Sequence, residues 1–243
     1  MTRVAIIGAG ISGLACARQL AKAGVSAVVF DKGRCIGGRV ATRRAGDLQF
    51  DHGAPFVRAQ RDDFSALLAS LTVDGSAVPW TDDKGVTWTV GSPGMSAIPK
   101  AMGVGLDVRL GTQILKVNAD QSGWHLHYDE TEYVATHIVM TVPKPQIAGL
   151  LGYRHPLIPQ IADVKMEPGL TLMATVSGST PSITPFLPDD PLALITCDSS
   201  KPNRPLNEST AWVAQAGTEF SVTHLEKNLP DIAALMLPLM CKR

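Results

Sequence analysis

The first 31 residues constrain the fold more than any other stretch. Val4–Ile7 is a short, wholly apolar run, the pattern of a strand buried on both faces of a parallel sheet. Gly8, Gly10 and Gly13 follow at GxGxxG spacing. From Ile11 to Ala23 the pattern becomes helical, with Leu14, Ala17, Ala21 and Gly24 on one face. A second apolar run, Ala27–Phe30, stops at Asp31 and completes a strand, helix, strand unit. Each glycine has its own duty there. The first permits the turn, the second lets backbone N–H groups approach a pyrophosphate, and the third allows helix and sheet to pack closely. Ser12, in the same turn, is placed to donate to phosphate. Asp31 stands where a carboxylate accepts hydrogen bonds from a ribose diol, and its charge would repel a 2′-phosphate, which argues against NADP. The unit predicts dinucleotide binding without separating NAD from FAD, because both present adenosine and pyrophosphate to the same helix terminus.

Composition narrows the partners. The 243 residues can form one large domain or two modest ones, and 45% hydrophobic with 18% charged residues describes an ordinary globular chain. Lys and Arg number 22 against 22 Asp and Glu. No broad positive field exists to draw the chain to phosphate backbones or anionic lipid, so neither nucleic acid nor membrane is an expected partner. No window approaches the run of about 18 apolar residues that a membrane helix needs. Cys16, Cys35, Cys197 and Cys241 show neither CxxC spacing nor the density of a disulfide scaffold, which points to a reducing cytoplasm. The glycines and Arg18 also interrupt any secretory signal at the amino end.

Farther along, residues 33–55 read as an extended Gly- and Arg-rich excursion. Asp63–Leu71 reads as a short helix with Phe64, Leu67, Leu68 and Leu71 on its apolar side, and Val78–Val90 as a hairpin. A turn at Ser92–Gly94 precedes a helix over Met95–Met102. Leu106–Val117, Trp124–Tyr128 and Tyr133–Val142 read as three strands. Beyond residue 150, Pro and Ser become dense at Gly178–Pro191 and Ser199–Pro205, separating strand-like runs Thr171–Val176, Ala193–Thr196 and Ala211–Gln215. A final helix spans Leu225–Leu237, with Leu229, Ile232, Ala233 and Met236 on one side and Pro230 in its first turn.

The segment after Asp31 separates the cofactors. Asp31, Lys32, Gly37, Gly38 and Arg39 form D-K-x(4)-G-G-R, which resembles the second fingerprint of the flavin amine oxidase superfamily, in its renalase-like branch. A guanidinium fork matches phosphate oxygens, and paired glycines remove steric bulk beside them. Asp51–Phe56, DHGAPF, resembles a family segment whose backbone lies against the flavin ring. Pro55 replaces the usual glutamine and so removes an amide side chain and an N–H. Pro93–Ser96 resembles the turn before a short helix, Ile114 stands where a strand residue flanks adenine, and His137–Pro145 resembles the strand and proline turn that return beside the cofactor.

The resemblance implies an α/β fold with a Rossmann-like FAD-binding domain in residues 1–57 and 92–150, and a second, mostly β substrate domain in 58–91 and 151–243. It implies FAD as cofactor, held by Gly8, Gly10, Ser12, Gly13, Asp31, Lys32, Gly38, Arg39, Ala54, Pro55, Phe56 and Ile114. The family's terminal G-D…G-[AV]-x-x-S-G segment has no counterpart after Trp212. The chain therefore reads as C-terminally truncated relative to the family, with weak FAD retention expected. The implied reaction is hydride transfer from a small reduced substrate, a dihydronicotinamide nucleotide isomer, with molecular oxygen as electron acceptor. A flavin amine oxidase and a noncatalytic nucleotide-binding or interaction module are the alternatives. No catalytic residue is assigned, since the cofactor carries such chemistry.

Other constellations have plainer readings. His125 and His127 share a strand face, yet no nearby Cys or carboxylate cluster in the sequence completes a metal site, and none is assigned. Cys16 and Cys35 read as small buried packing residues, and Lys144 as an exposed turn lysine.

Overall fold

β1 (Arg3–Ile7) is the element against which the amino-terminal fold is assembled. In the computed structural model, which describes residues 2–178, 190–205 and 207–242, it is followed by α1 (Ile11–Lys22), β2 (Ser26–Phe30), β3 (Arg43–Ala45), β4 (Leu48–Phe50), α2 (Asp62–Val73), β5 (Ala77–Thr81), β6 (Thr87–Gly91) and α3 (Ala97–Gly103). Next come β7 (Asp107–Arg109), β8 (Lys116–Asp120), β9 (Gly123–Tyr128), β10 (Thr131–Ala135), β11 (His137–Met140), α4 (Lys144–Leu151) and α5 (Leu157–Gln160). The remainder is β12 (Thr171–Ser177), β13 (Leu192–Cys197), a 3₁₀ turn at Asp198–Ser200, β14 (Ser209–Ala216), α6 (Thr218–His224) and α7 (Leu229–Met240). The chain divides into two compact units, Met1–Arg39 with Pro99–Met166, and Val40–Ile98 with Glu167–Arg243.

The first unit holds a parallel sheet in the order β11-β1-β2-β7, with Ile6 aligned between Val29 and Val139. Strand alternation sorts its side chains. Ala5, Ile7, Val28 and Phe30 share one core with Val117, Leu126 and Ala135 of the antiparallel sheet β10-β9-β8 and with Leu150 of α4. Ile6 and Val29 point the other way and are fully buried, as is Leu14 of α1. Phe30 meets Tyr133 edge-on at 5.2 Å between ring centres, and the Arg109 guanidinium lies 5.4 Å over the Phe30 ring. The second unit is built on the antiparallel sheet β12-β14-β13. Leu192, Ile195, Cys197, Trp212 and Ala214 pack with Ile232, Met236 and Met240 of α7 on one face, and Ala211 and Val213 pack with Phe50 of β4 on the other. An α/β amino-terminal region is thus followed by a mostly β region.

Several elements differ from the expected outline for identifiable reasons. The run Leu106–Val117 is two strands, β7 and β8, because Gly111 takes φ +66° and the chain turns there. Ile114 consequently lies between strands rather than on one. The run Tyr133–Val142 is also two strands. They belong to different sheets, and at the break Thr136 donates its N–H to the Arg3 carbonyl. The excursion at 33–55 contains the ribbon β3–β4. α1 ends at Lys22, leaving Ala21 and Gly24 exposed. The expected helix Leu225–Leu237 is α7 alone and starts at Leu229, where the Asn228 side chain accepts from Asp231 N–H at 3.0 Å and caps it, α6 having ended at His224. Leu229 therefore faces solvent at 78% exposure. The third helix starts at Ala97 rather than Met95. Within the Pro- and Ser-rich stretch Gly178–Pro191, residues 179–189 lie outside the described residues. α4 opens with Pro145 in its first turn, a position where proline costs no hydrogen bond. Among the described residues no helix is long and apolar enough to cross a membrane.

A charged clamp ties β9 to its neighbours. His125 Nε2 lies 3.0 Å from Asp120 Oδ1 and Nδ1 lies 3.1 Å from Glu132 Oε2, while His127 Nε2 lies 2.6 Å from Asn118 Oδ1. Hydrogen bonds to Asp120 and then Glu132 raise the His125 pKa above its ordinary 6.5. Those from Ser122 and His125 lower Asp120 to about 2. A raised histidine pKa stabilises the fold below the unfolded value, and that stabilisation is lost as pH rises through the folded one. His125→Gln should therefore lower the melting temperature at about pH 6 and have a shrinking effect towards about pH 9, measured by thermal melts against the wild type. A difference that does not change with pH would contradict the clamp.

Candidate functional site

The glycine turn between β1 and α1 is closed on two sides and open on the third. Gly8 takes φ +110°, a conformation that favours glycine, and a Cβ there would lie 2.7 Å from Thr141 Oγ1. Thr141 itself donates to the Ile7 and Gly8 carbonyls, each at 3.0 Å. A Cβ on Gly13 would collide with the Gly8 carbonyl oxygen, so α1 touches the turn through a bare backbone. On Gly10 a Cβ would meet nothing within 4 Å among the described residues. The middle glycine therefore borders open space, as the approach of a ligand requires.

Helix electrostatics point to the same opening. The first i→i−4 bond of α1 runs from Leu14 N–H to Gly10 carbonyl, so the amides of Ile11, Ser12 and Gly13 precede the helical ladder. Gly10 supplies no side-chain cap and the first turn contains no acidic residue. The partial positive charge of the terminus is left for an external anion. Asp31 borders the loop, its Oδ2 accepting from Ala9 N–H at 2.6 Å and its Oδ1 from Gly33 N–H at 2.7 Å. Each oxygen retains a further lone pair for a ribose hydroxyl.

The second fingerprint folds back onto the first. Gly37 N–H donates to the Ala9 carbonyl at 2.9 Å and pairs as a bridge with Gly10. Gly38 takes φ +55° and runs within 3.4 Å of Gly10 Cα when a Cβ is built on it. Gly8, Gly10, Ser12, Gly13, Asp31 and Gly38 are thus brought together, while Lys32 and Arg39 follow on the same loop with exposed side chains. Bare glycine backbone, helix amides that precede the ladder and a carboxylate fit the adenosine and diphosphate half of FAD. Ile114 is 6% exposed and lies in the core with Ala5, Ile7, Val28 and Phe30. Cys35 is exposed and Cys16 half-buried, contrary to the expectation that both are buried.

Ala54, Pro55 and Phe56 belong to the second unit. Pro55 is buried, and Phe56 stacks on Trp88 at 4.1 Å between ring centres. Trp88 is fixed in turn by its Nε1–H donating to Asp82 Oδ2 at 2.9 Å. Next to this segment is a centre that sequence reasoning missed. Asp51 and Asp198 are 0% exposed, Lys201 2% and Arg204 8%. Lys201 Nζ lies 2.9 Å from Asp51 Oδ2 and 2.6 Å from Asp198 Oδ1, and Arg204 Nη2 pairs with Asp51 Oδ2. Burial would raise the Asp51 pKa, but Lys201 and Arg204, with hydrogen bonds from Thr42 and Lys201, hold its carboxyl below the ordinary range. Asp198 is shifted upward, by burial first and by the Asp51 charge, against the opposing pull of Lys201. The available signal was Asp51 at the head of the DHGAPF segment. Lys201 and Arg204 sit in a stretch whose Pro and Ser content indicated only turns.

The parallel sheet, glycine turn and terminal carboxylate define a Rossmann-type dinucleotide-binding protein. Residues 6–71 match the NAD(P)-binding Rossmann-like domain family and residues 74–178 the flavin containing amine oxidoreductase family. The chain is an FAD-binding oxidoreductase, similar to the flavin containing amine oxidoreductases. Over 98% of its length it is 27% identical to renalase of Mus musculus, covering 78% of that protein. A stretch of 69 residues, 28% of this chain and 14% of the relative, is 35% identical to protoporphyrinogen oxidase 2 of Arabidopsis thaliana. Among solved structures, a putrescine oxidase double mutant superposes with a TM-score of 0.73 over 95% of this chain and 79% of its own, at 14% identity, a likeness of fold.

Gly13→Ala should separate packing from binding poorly, because the added carbon meets backbone. We expect a loss of about 1–3 kcal/mol in denaturant unfolding. Gly10→Ala meets open space and should leave unfolding nearly unchanged while weakening FAD uptake. Equal unfolding costs for the two would contradict this geometry.

Proposed function

We propose that the enzyme oxidises a dihydronicotinamide nucleotide isomer by hydride transfer, with molecular oxygen as the electron acceptor. The open glycine cradle carries this reading, and the similarity to renalase along nearly the whole chain supports it. FAD would supply the two-electron redox chemistry that couples oxidation of the substrate to reduction of oxygen to peroxide. The chain's own residues bind and orient. The Ser12 and Gly13 amides face the diphosphate at the bare approach made by Gly8, Gly10 and Gly38. Asp31 accepts from the ribose, and Lys32 and Arg39 offset the phosphate charge. Ala54, Pro55 and Phe56 would hold the flavin end, and Ile114 the adenine end. Residues 1–57 and 92–150 serve the cofactor and residues 58–91 and 151–243 the substrate. Four cysteines without CxxC spacing suit a reducing compartment, the cytoplasm.

Amine oxidation is the second reading, favoured by the match of residues 74–178 to the amine oxidoreductase family. Visible absorbance of the purified protein, then peroxide release with reduced nucleotide isomers and with primary amines, decides between them. Turnover with nucleotides alone supports the first reading, turnover with amines alone the second, and bound flavin without either a binding module. A colourless protein that cannot be reconstituted contradicts all three. Arg39→Ala should weaken FAD binding about tenfold in a fluorescence titration while leaving the thermal melt unchanged, since its side chain is exposed. Unaltered affinity would remove Arg39 from the site.

A further inference from the structure

The segment Asp51–Val57 is pinned at both ends. At its tail, Val57 exchanges hydrogen bonds with Thr89 at 2.8 and 3.1 Å, and Phe56 stacks on Trp88. In its middle, the Gly53 carbonyl accepts from Gln215 Nε2. At its head, the Asp51 N–H donates to Asp198 Oδ2, and the Asp51 carboxylate gathers four further groups. Thr42 Oγ1 donates to Oδ1 at 2.6 Å and Met95 N–H at 3.0 Å, while Lys201 Nζ and Arg204 Nη2 both reach Oδ2. Thr42 Oγ1 also accepts from Ser96 N–H at 3.1 Å, so the Pro93–Ser96 turn hangs on the same carboxylate.

This arrangement is a poor source of stability. Two acids and two cations are sealed from water, where apolar side chains of similar volume stabilise as well or better. Among the described residues Arg204 Nε and Nη1 are buried without a hydrogen-bond partner, which adds a cost. Ion pairs provide what apolar packing does not, a directional hold on one carboxylate from chain 150 residues away.

We propose that Lys201 and Arg204 are positioning residues that set the Asp51–Phe56 segment for the flavin by clamping the Asp51 carboxylate. The proposal rests on the reading that Ala54, Pro55 and Phe56 lie along the cofactor. Neither cation touches the reacting atoms. Their effect passes through Asp51, and it therefore depends on geometry as well as on charge, so replacing one cation by the other does not restore it.

The test uses Arg204→Lys, which keeps the charge and loses the planar fork. In hydrogen exchange on the full-length chain without FAD, amides of residues 51–57 should exchange at least about tenfold faster than in the wild type, with β12–β14 unchanged. On FAD addition, affinity should fall about tenfold and the visible circular dichroism of the bound flavin should change. Exchange at 51–57 within about twofold of wild type, or equal acceleration throughout β12–β14, overturns the clamp. Faster exchange with unaltered FAD affinity and dichroism overturns the cofactor role. Should Arg204→Lys fail to fold, Lys201→Gln replaces it, with the same expected changes and the same overturning results. A wild-type chain that takes up no FAD overturns the cofactor reading itself, and the exchange rates still test the clamp separately.

Discussion

Contact between the start of α1 and the Gly8 carbonyl is the constraint on which the cradle depends. A side chain at position 13 would push the helix off the turn, and a side chain at position 8 would both strain the backbone and strike Thr141. With both excluded, the helix axis is aimed at the gap beside Gly10, and three amides are presented there without a competing cap. The rest of the site follows from that aim. Asp31 can hold Ala9 because β2 ends level with the turn, and Gly37 reaches the Ala9 carbonyl where the loop turns at Gly38 with φ +55°.

What the amino-acid sequence disclosed was local chemistry in a fixed spacing. Glycines that need positive φ, an apolar run of strand length and a terminal carboxylate all act within 31 residues, so the first strand, helix and strand were legible almost to the residue. The two long strands that proved to be pairs show the limit. A β-period pattern continues through Gly111 and through Thr136, and only the partner strands reveal that the chain changes sheet at each. The break ahead of α7 was marked by Asn228, whose capping role depends on Asp231 three residues on and was hidden by the surrounding leucines.

The buried ionic centre was illegible for a different reason. Asp51, Asp198, Lys201 and Arg204 are ordinary surface residue types, and nothing in their spacing predicts that all four become nearly inaccessible. Their burial is decided by sheet β12-β14-β13, whose faces place the 3₁₀ turn after β13 beside β4. Sequence motifs describe how a backbone meets a ligand. Long-range electrostatic anchors appear only once distant segments have met.

Thr141 carries a consequence for the order of assembly. Its hydroxyl reaches back across 134 residues to the end of β1. A growing polypeptide displays the complete glycine sequence early, yet it lacks the hydrogen bonds that seal one wall of the turn until β11 has been synthesised. At ordinary rates of translation that interval is on the order of ten seconds. During it, the nucleotide pocket has its floor and helix but not its back wall, so ligand capture belongs to the later life of the nascent chain.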